Sequence, residues 1–173
     1  MINVAAEVPP HSGELAVIVR EHLDELSTYA THLVGDADDA IEFVAGGMYH
    51  AAKYPPARLQ ADGRAALYRA VTRACRQQHR FPPRPTGPSR LFRRSRPPFY
   101  AEMDASAAAR MNTVKRALLT IPFDCRVALL LRDRVGLDYR QMATALECSP
   151  EAVARLVARS RRDFGNVFRE IRL

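Results

Sequence analysis

A proline- and arginine-rich segment divides the chain and constrains its fold more than any other feature. Residues 81–98 read FPPRPTGPSRLFRRSRPP and hold six of the twelve prolines in the 173-residue chain. Proline removes backbone donors, and repulsion among the arginines opposes compaction. We therefore expect a flexible linker over residues 81–110 that joins an N-terminal unit, residues 1–80, to a C-terminal unit, residues 111–173.

Three helices are predicted in the N-terminal unit. In the first, ELAVIVREHLDELSTYATHLV, apolar side chains recur near helical spacing. The second, DADDAIEFVAGGMYHAA, has acids in its first turn, where the helix dipole favours them, although Gly46 and Gly47 weaken its middle. The third, GRAALYRAVTRACRQQHR, carries its arginines mostly away from an apolar stripe formed by Leu67, Ala70, Val71, Ala74 and Cys75.

The C-terminal unit also shows only helical periods, broken at Pro122, at Gly136 and at the ECS turn before Pro150. The chain has no alternating strand pattern and no Gly-rich phosphate loop. The predicted fold class is therefore all-α, with two small helical domains and a helix-turn-helix in the second.

The helix-turn-helix is predicted from two short helices around a tight turn. Asp138 can cap the first helix, and Ser149 and Pro150 suit the start of the second. The predicted buried stripes are Tyr139, Met142, Ala143 and Leu146 in the first helix and Val153, Leu156, Val157 and Ser160 in the second. Glu147 lies in the turn between the two helices.

Outward residues of the second helix of such a motif reach base edges in the major groove, and arginines further along hold phosphates. The predicted DNA-binding residues of this unit are Arg140, Ser149, Glu151, Ala152, Ala154, Arg155, Arg159, Arg161 and Arg162. A net charge of +7 favours an anionic partner, and no acid lies between Gly63 and Ala101. A helical hairpin with solvated arginines is the plainer interpretation of the same pattern.

Other function classes find little support in the sequence. Cys75, Cys125 and Cys148 are scattered and odd in number, which favours reduced thiols, and no spacing with the histidines predicts a zinc site. No nucleophile stands beside a base in a catalytic signature. We expect no enzyme activity, no cofactor, no membrane insertion and a cytoplasmic location.

ALLTIPFDCRVALLLRDRVGLDYRQMATALECSPEAVARLVARSRRDF resembles region four of the extracytoplasmic-function sigma factors of bacterial RNA polymerase. The unit before the linker resembles their region two more loosely. The resemblance implies binding of core polymerase, through its β′ clamp and β flap, and recognition of the −10 and −35 promoter elements. It also implies an anti-sigma factor as a further partner.

By position, the resemblance implies two further sets of residues. The polymerase-binding set is Asp36, Asp38, Asp39 and Glu42, and the set near the −10 strand is Tyr68, Arg69, Thr72, Arg73, Arg76 and Arg80. Glu147 departs from the family pattern at a turn position where Gly is frequent, since a left-handed backbone there costs a residue with a β-carbon up to about 1 kcal/mol. Gly46 and Gly47 depart from it as well. They motivate one alternative, a degenerate sigma-like regulator that works through protein partners; a dimeric helix-turn-helix repressor or activator is another.

Overall fold

A computed structural model describes residues 12–80 and 105–172, which are helical and contain no strand. The N-terminal unit consists of helices α1 (Ser12–Val34), α2 (Ala37–Ala51) and α3 (Pro56–Arg80). The C-terminal unit consists of α4 (Ala105–Thr120), α5 (Phe123–Leu129), a π-helical turn (Leu130–Arg134), α6 (Tyr139–Leu146) and α7 (Pro150–Arg172). The predicted all-α class is confirmed.

The boundary of the C-terminal unit differs from the predicted one. Helix α4 starts at Ala105, so residues 105–110, which we assigned to the linker, are helical. Their sequence, ASAAAR, is rich in alanine, the residue with the highest helix propensity. The remainder of the predicted linker, residues 81–104, lies outside the described residues.

Helix α2 runs unbroken through its two glycines. Asp36 caps it by accepting hydrogen bonds from the amides of Asp38 (2.9 Å) and Asp39 (3.0 Å). A β-carbon on Gly47 would lie 2.9 Å from the Cα atom of Val71 in α3, whereas one on Gly46 would meet nothing within 4 Å. Gly47 therefore allows a close approach of α2 to α3, and this packing offsets its low helix propensity.

Aromatic and hydroxyl groups join α1 to α3 in the core of the N-terminal unit. The rings of Tyr29 and Tyr68 meet edge to face at 5.2 Å, and the Tyr29 hydroxyl lies 2.7 Å from that of Thr72. Both tyrosines are fully buried, and burial raises the pKa of each. Within α3, Asp62 has a non-helical backbone that kinks the helix near its start.

The two units share one hydrophobic core. Leu26 and Tyr68 of the N-terminal unit belong to the same buried cluster as Val127, Leu131 and Met142 of the C-terminal unit. A smaller cluster of Ile121, Cys125 and Leu129 packs between α5 and α7. The units are therefore packed against each other.

Arg126, in α5, is buried, and all of its side-chain hydrogen bonds go to backbone carbonyls. Its guanidinium donates to the carbonyls of Leu118 (2.7 Å) and Leu119 (2.8 Å) at the end of α4 and of Leu33 (2.5 Å) at the end of α1. Burial lowers the pKa of this group. One side chain thus satisfies the free carbonyls of two helix ends, one from each unit.

None of the helices in the described ranges is both long and apolar enough to cross a bilayer. Cys75 and Cys125 are buried thiols, Cys148 is exposed, and none of the three forms a disulfide. Burial raises the pKa of the Cys75 thiol to about 12. No group of three or more potential metal-ligating side chains gathers in the described part of the chain.

Candidate nucleic-acid interface

The first helix of the predicted motif, α6, is fixed at its start by a reciprocal pair of hydrogen bonds. The Asp138 carboxylate accepts from the Gln141 amide at 2.8 Å, and the Gln141 side-chain oxygen accepts from the Asp138 amide at 3.0 Å. This capping box satisfies two backbone donors that a helix start leaves free. The predicted cap at Asp138 is confirmed.

The turn between α6 and α7 has the backbone that the sequence predicts. Glu147 is left-handed, with φ 56° and ψ 43°, and the Cys148 amide donates to the Ala143 carbonyl at 3.2 Å. Ser149 then caps α7 by accepting a hydrogen bond from the Ala152 amide at 3.3 Å, and Pro150 takes the first helical position. Local chemistry therefore sets the angle at which α7 leaves the turn.

Most of the predicted buried stripe of α6 and α7 is in place. Met142, Val153 and Val157 are buried, and the Ser160 hydroxyl, also buried, donates to the Leu156 carbonyl at 2.7 Å. The prediction for Tyr139 is wrong: its ring is exposed and lies beneath the Arg132 guanidinium, 5.2 Å from the ring centroid. Ala145, which we did not predict, fills the buried position instead.

Helix α7 presents one polar face to solvent over its first three turns. The exposed residues that share this face, which we call the reading face, are Glu151, Arg155, Ala158, Arg159 and Arg162. Hydrogen bonds from its own amide and from Ser149 lower the pKa of the Glu151 carboxyl. From Glu151 to Arg162 the helix rises about 16 Å at 1.5 Å per residue, and the helix fits a major groove about 12 Å wide.

The other predicted residues of this unit lie around the reading face or away from it. Arg161 points to a different side of α7 and pairs with Asp133, with the Nη2 and Oδ1 atoms 2.5 Å apart. This pairing raises the pKa of the Arg161 guanidinium. Ala152 and Ala154 are half-buried, and Arg140 is exposed in the first turn of α6.

Residues 111–164, which contain the whole motif and the reading face, match the family model described as sigma-70, region 4. The similarity to the sigma-70 proteins is therefore carried by this domain, about a third of the chain. Comparison with curated proteins gives no significant match. A similar solved structure is that of the sigma factor RpoE in complex with the anti-sigma factor NepR from Bartonella quintana, with 19% identity, a TM-score of 0.59 and coverage of 94% of this chain and 98% of that chain.

These two findings support the prediction of an extracytoplasmic-function sigma factor. The family model identifies the C-terminal unit, called region 4 from here on, by its sequence. At 19% identity the solved structure shows a shared fold, and its coverage extends that likeness to both units of the chain. The predicted all-α architecture, with a helix-turn-helix in a domain similar to sigma-70 region 4, is confirmed.

The residues predicted near the −10 strand do not share one exposed surface. Tyr68 and Thr72 are buried inside the N-terminal unit, and only Arg73 is exposed among those whose side chains are described. Arg69 pairs with Glu147 of region 4, and Arg76 donates to Asp124 of region 4 at 2.7 Å. The side chain of Arg80 lies outside the described residues.

The predicted polymerase-binding acids lie at the start of α2 beside an exposed apolar stripe. Asp36 caps the helix, Glu42 is exposed, and Asp38 and Asp39 are half-buried. Ile41 and Tyr49, at 63% and 65% exposure, stand two helical turns apart on the same side of α2. We did not predict these two residues; the signal was a second apolar stripe of period four, displaced around the helix from the buried Ala40, Val44 and Ala51.

Proposed function

We propose that the chain is a sigma factor that binds core RNA polymerase and directs promoter-specific initiation. Region 4 would recognise the −35 element, and the N-terminal unit would bind the −10 element and the polymerase. The observation that carries the proposal is the reading face, an arginine-rich surface that no other described helix covers, on a domain matched by the region 4 model. Such a protein would act in the cytoplasm and carry out no enzymatic step of its own.

The chemistry of the reading face supports DNA recognition. Arginine donates two parallel hydrogen bonds to guanine or to a phosphate, and three arginines lie within about three turns. Arg159 pairs only weakly, with Asp163 at 3.5 Å, so this exposed ion pair costs little to exchange for a phosphate. Glu151 can accept a hydrogen bond from a cytosine amino group at the N-terminal end of the same face.

The exposed stripe of α2 supports the polymerase-binding part of the proposal. A contiguous exposed apolar patch with a polar rim is typical of a protein interaction site. Ile41 and Tyr49 supply the apolar contact, and Asp38, Asp39 and Glu42 supply negative charge that complements a basic partner. The unbroken α2 favours the proposal over the degenerate-regulator alternative, which was motivated by the two glycines of this helix.

The test is transcription in vitro with purified core polymerase and fragmented genomic DNA from the source organism. Promoter-specific transcripts should appear only with the protein added. Arg155→Ala and Arg159→Ala should lower them about tenfold or more, because each good arginine contact contributes about 1–3 kcal/mol, while binding to core enzyme stays intact. Arg169→Ala is the matched control, since Arg169 is exposed on the same helix but beyond the reading face.

Substitution of the α2 residues should have the reverse effect. Asp38→Ala with Asp39→Ala should weaken co-purification with the β and β′ subunits and leave upstream DNA binding unchanged. Absence of core subunits from the wild-type pull-down would overturn the proposal. A second small protein recovered in their place would indicate a sequestering partner, of the kind that accompanies the structural neighbour.

A further inference from the structure

Helix α3 is buried around nearly its whole circumference. Between Ala65 and Cys75, every residue except Arg69 and Arg73 is buried. The other helices of the N-terminal unit cover one side, as the contacts of Thr72 with Tyr29 and of Val71 with Gly47 show. Region 4 covers another side, chiefly through α6, the first helix of the helix-turn-helix.

Three arginines of α3 bridge to region 4 along this covered side. Arg64 donates to the Val135 carbonyl at 3.0 Å, Arg69 to the Glu147 carboxylate, and Arg76 to the Asp124 carboxylate at 2.7 Å. Arg76 also lies over the ring of Phe123 at 5.8 Å. Two carboxylates of region 4 therefore pair with guanidinium groups that could otherwise bind phosphates.

The closed arrangement leaves these arginines incompletely satisfied. The Nε–H groups of Arg64, Arg69 and Arg76 are all buried and find no acceptor among the described residues. A buried donor without a partner is unfavourable, and water or phosphate would satisfy it if the units separated. Beside the shared apolar core, the contacts that hold region 4 on α3 thus include ion pairs that are partly exposed and replaceable.

We propose that region 4 is an intramolecular inhibitor that covers the single-strand DNA surface of α3, with Glu147 and Asp124 in the place of phosphates. This inference rests on the proposed function for its assignment of α3 to the −10 strand. The reading face stays exposed in the closed arrangement, so upstream-element binding does not require opening. Binding of the −10 strand does require region 4 to leave α3.

The closure itself is tested without DNA or polymerase, by single-molecule energy transfer between dyes on Ala45→Cys and Glu170→Cys. Both positions are exposed, one in each unit; Cys148→Ser removes the exposed native thiol, and Cys75 and Cys125 are buried. Glu147→Gln with Asp124→Asn should raise the ratio of open to closed molecules roughly threefold to tenfold at about 0.1 M salt. The gain should vanish near 1 M salt, where charge interactions are screened beyond about 3 Å.

Three further variants make this test specific. Asp133→Asn is the control, because its ion pair with Arg161 is also exposed to solvent but lies wholly within region 4. Arg69→Glu should open the chain, and Arg69→Glu with Glu147→Arg should close it again. An unchanged ratio of open to closed molecules in Glu147→Gln with Asp124→Asn, or an equal shift in Asp133→Asn, would overturn the inference.

The consequence for DNA is tested by fluorescence anisotropy with labelled single-stranded oligonucleotides of mixed sequence. Glu147→Gln with Asp124→Asn should bind these oligonucleotides more tightly, by the same factor as its gain in open molecules. Binding of the reading face to duplex DNA should not change. Opening without tighter single-strand binding would overturn the inhibitory role. The transcription assay with Arg155→Ala is independent of both measurements, so failure of the proposed function is distinguishable from failure of this inference.

Discussion

Arg126→Met should destabilise the protein more than any other single substitution of a charged residue in the described part of the chain. The arginine is 4% exposed, and its guanidinium donates to three backbone carbonyls at distances of 2.5–2.8 Å. Methionine keeps much of the stem but leaves those carbonyls without their donor. Loss of one partner from such a buried charged network costs about 3–5 kcal/mol in the free energy of unfolding.

The assay is urea denaturation followed by circular dichroism at the helical band. With a slope of about 2 kcal/mol per molar urea, the midpoint should fall by about 2 M. Arg132→Met is the matched control, because Arg132 is half-buried and donates to a single carbonyl, that of Leu137 at 2.8 Å, so its loss should cost about 1 kcal/mol. Arg126→Lys, which keeps the charge but not the fork of donors, should fall between the two.

A midpoint for Arg126→Met no lower than that for Arg132→Met would refute the reasoning. It would mean that water replaces the guanidinium at both helix ends without a measurable penalty. The Leu33 carbonyl belongs to the N-terminal unit, so a loss confined to region 4 would show that this bond between units contributes nothing to stability.

Substitutions at Gly47, Asp138 and His32, with controls at Gly46 and Asp138, test other parts of the structure by the same urea assay. Gly47→Ala should lower the free energy of unfolding by about 1–3 kcal/mol, because its β-carbon would collide with the Val71 backbone. Gly46→Ala adds a β-carbon that faces open space, so it should raise the free energy of unfolding by about 0.5–1 kcal/mol. Equal effects of the two substitutions would contradict the close approach of α2 to α3. Asp138→Ala should cost about 1 kcal/mol and Asp138→Asn much less, since asparagine also caps a helix start. Burial, then the charges of Arg134 and Lys115, lower the pKa of His32 from its ordinary 6.5, so the unfolded chain binds the proton more tightly. The free energy of unfolding should therefore decrease as the pH falls through about 6.5, and His32→Gln should remove that part of the pH dependence.

The sequence by itself determined the helix-turn-helix almost completely. Asp138, Ser149 and Pro150 act on backbone groups within three residues of themselves, and Glu147 adopts its left-handed backbone within the turn it occupies. Interactions of such short range do not depend on the remainder of the fold. The helical period of α7 likewise predicted the buried Val153 and Val157 and the exposed Arg155 and Arg159, because one face of the helix is charged and the other is not. It did not separate the reading face from its surroundings, since Ala152, Ala154 and Arg161 were assigned to DNA and lie off that face.

Only the tertiary structure decided what covers α3 and which charged side chains are paired with other residues of the chain. The sequence shows one apolar stripe on this helix, but alanines and arginines on its other side look the same whether water or a second unit covers them. Tyr68 and Thr72 were assigned to DNA and are buried, Tyr139 was assigned to the core and is exposed, and Arg126 was not assigned at all. Periodicity identifies a face of a helix and leaves its partner open, because the partner is set by contacts between residues far apart in the chain. Arg126, bonded to a carbonyl 93 positions away, shows how far apart those residues can be.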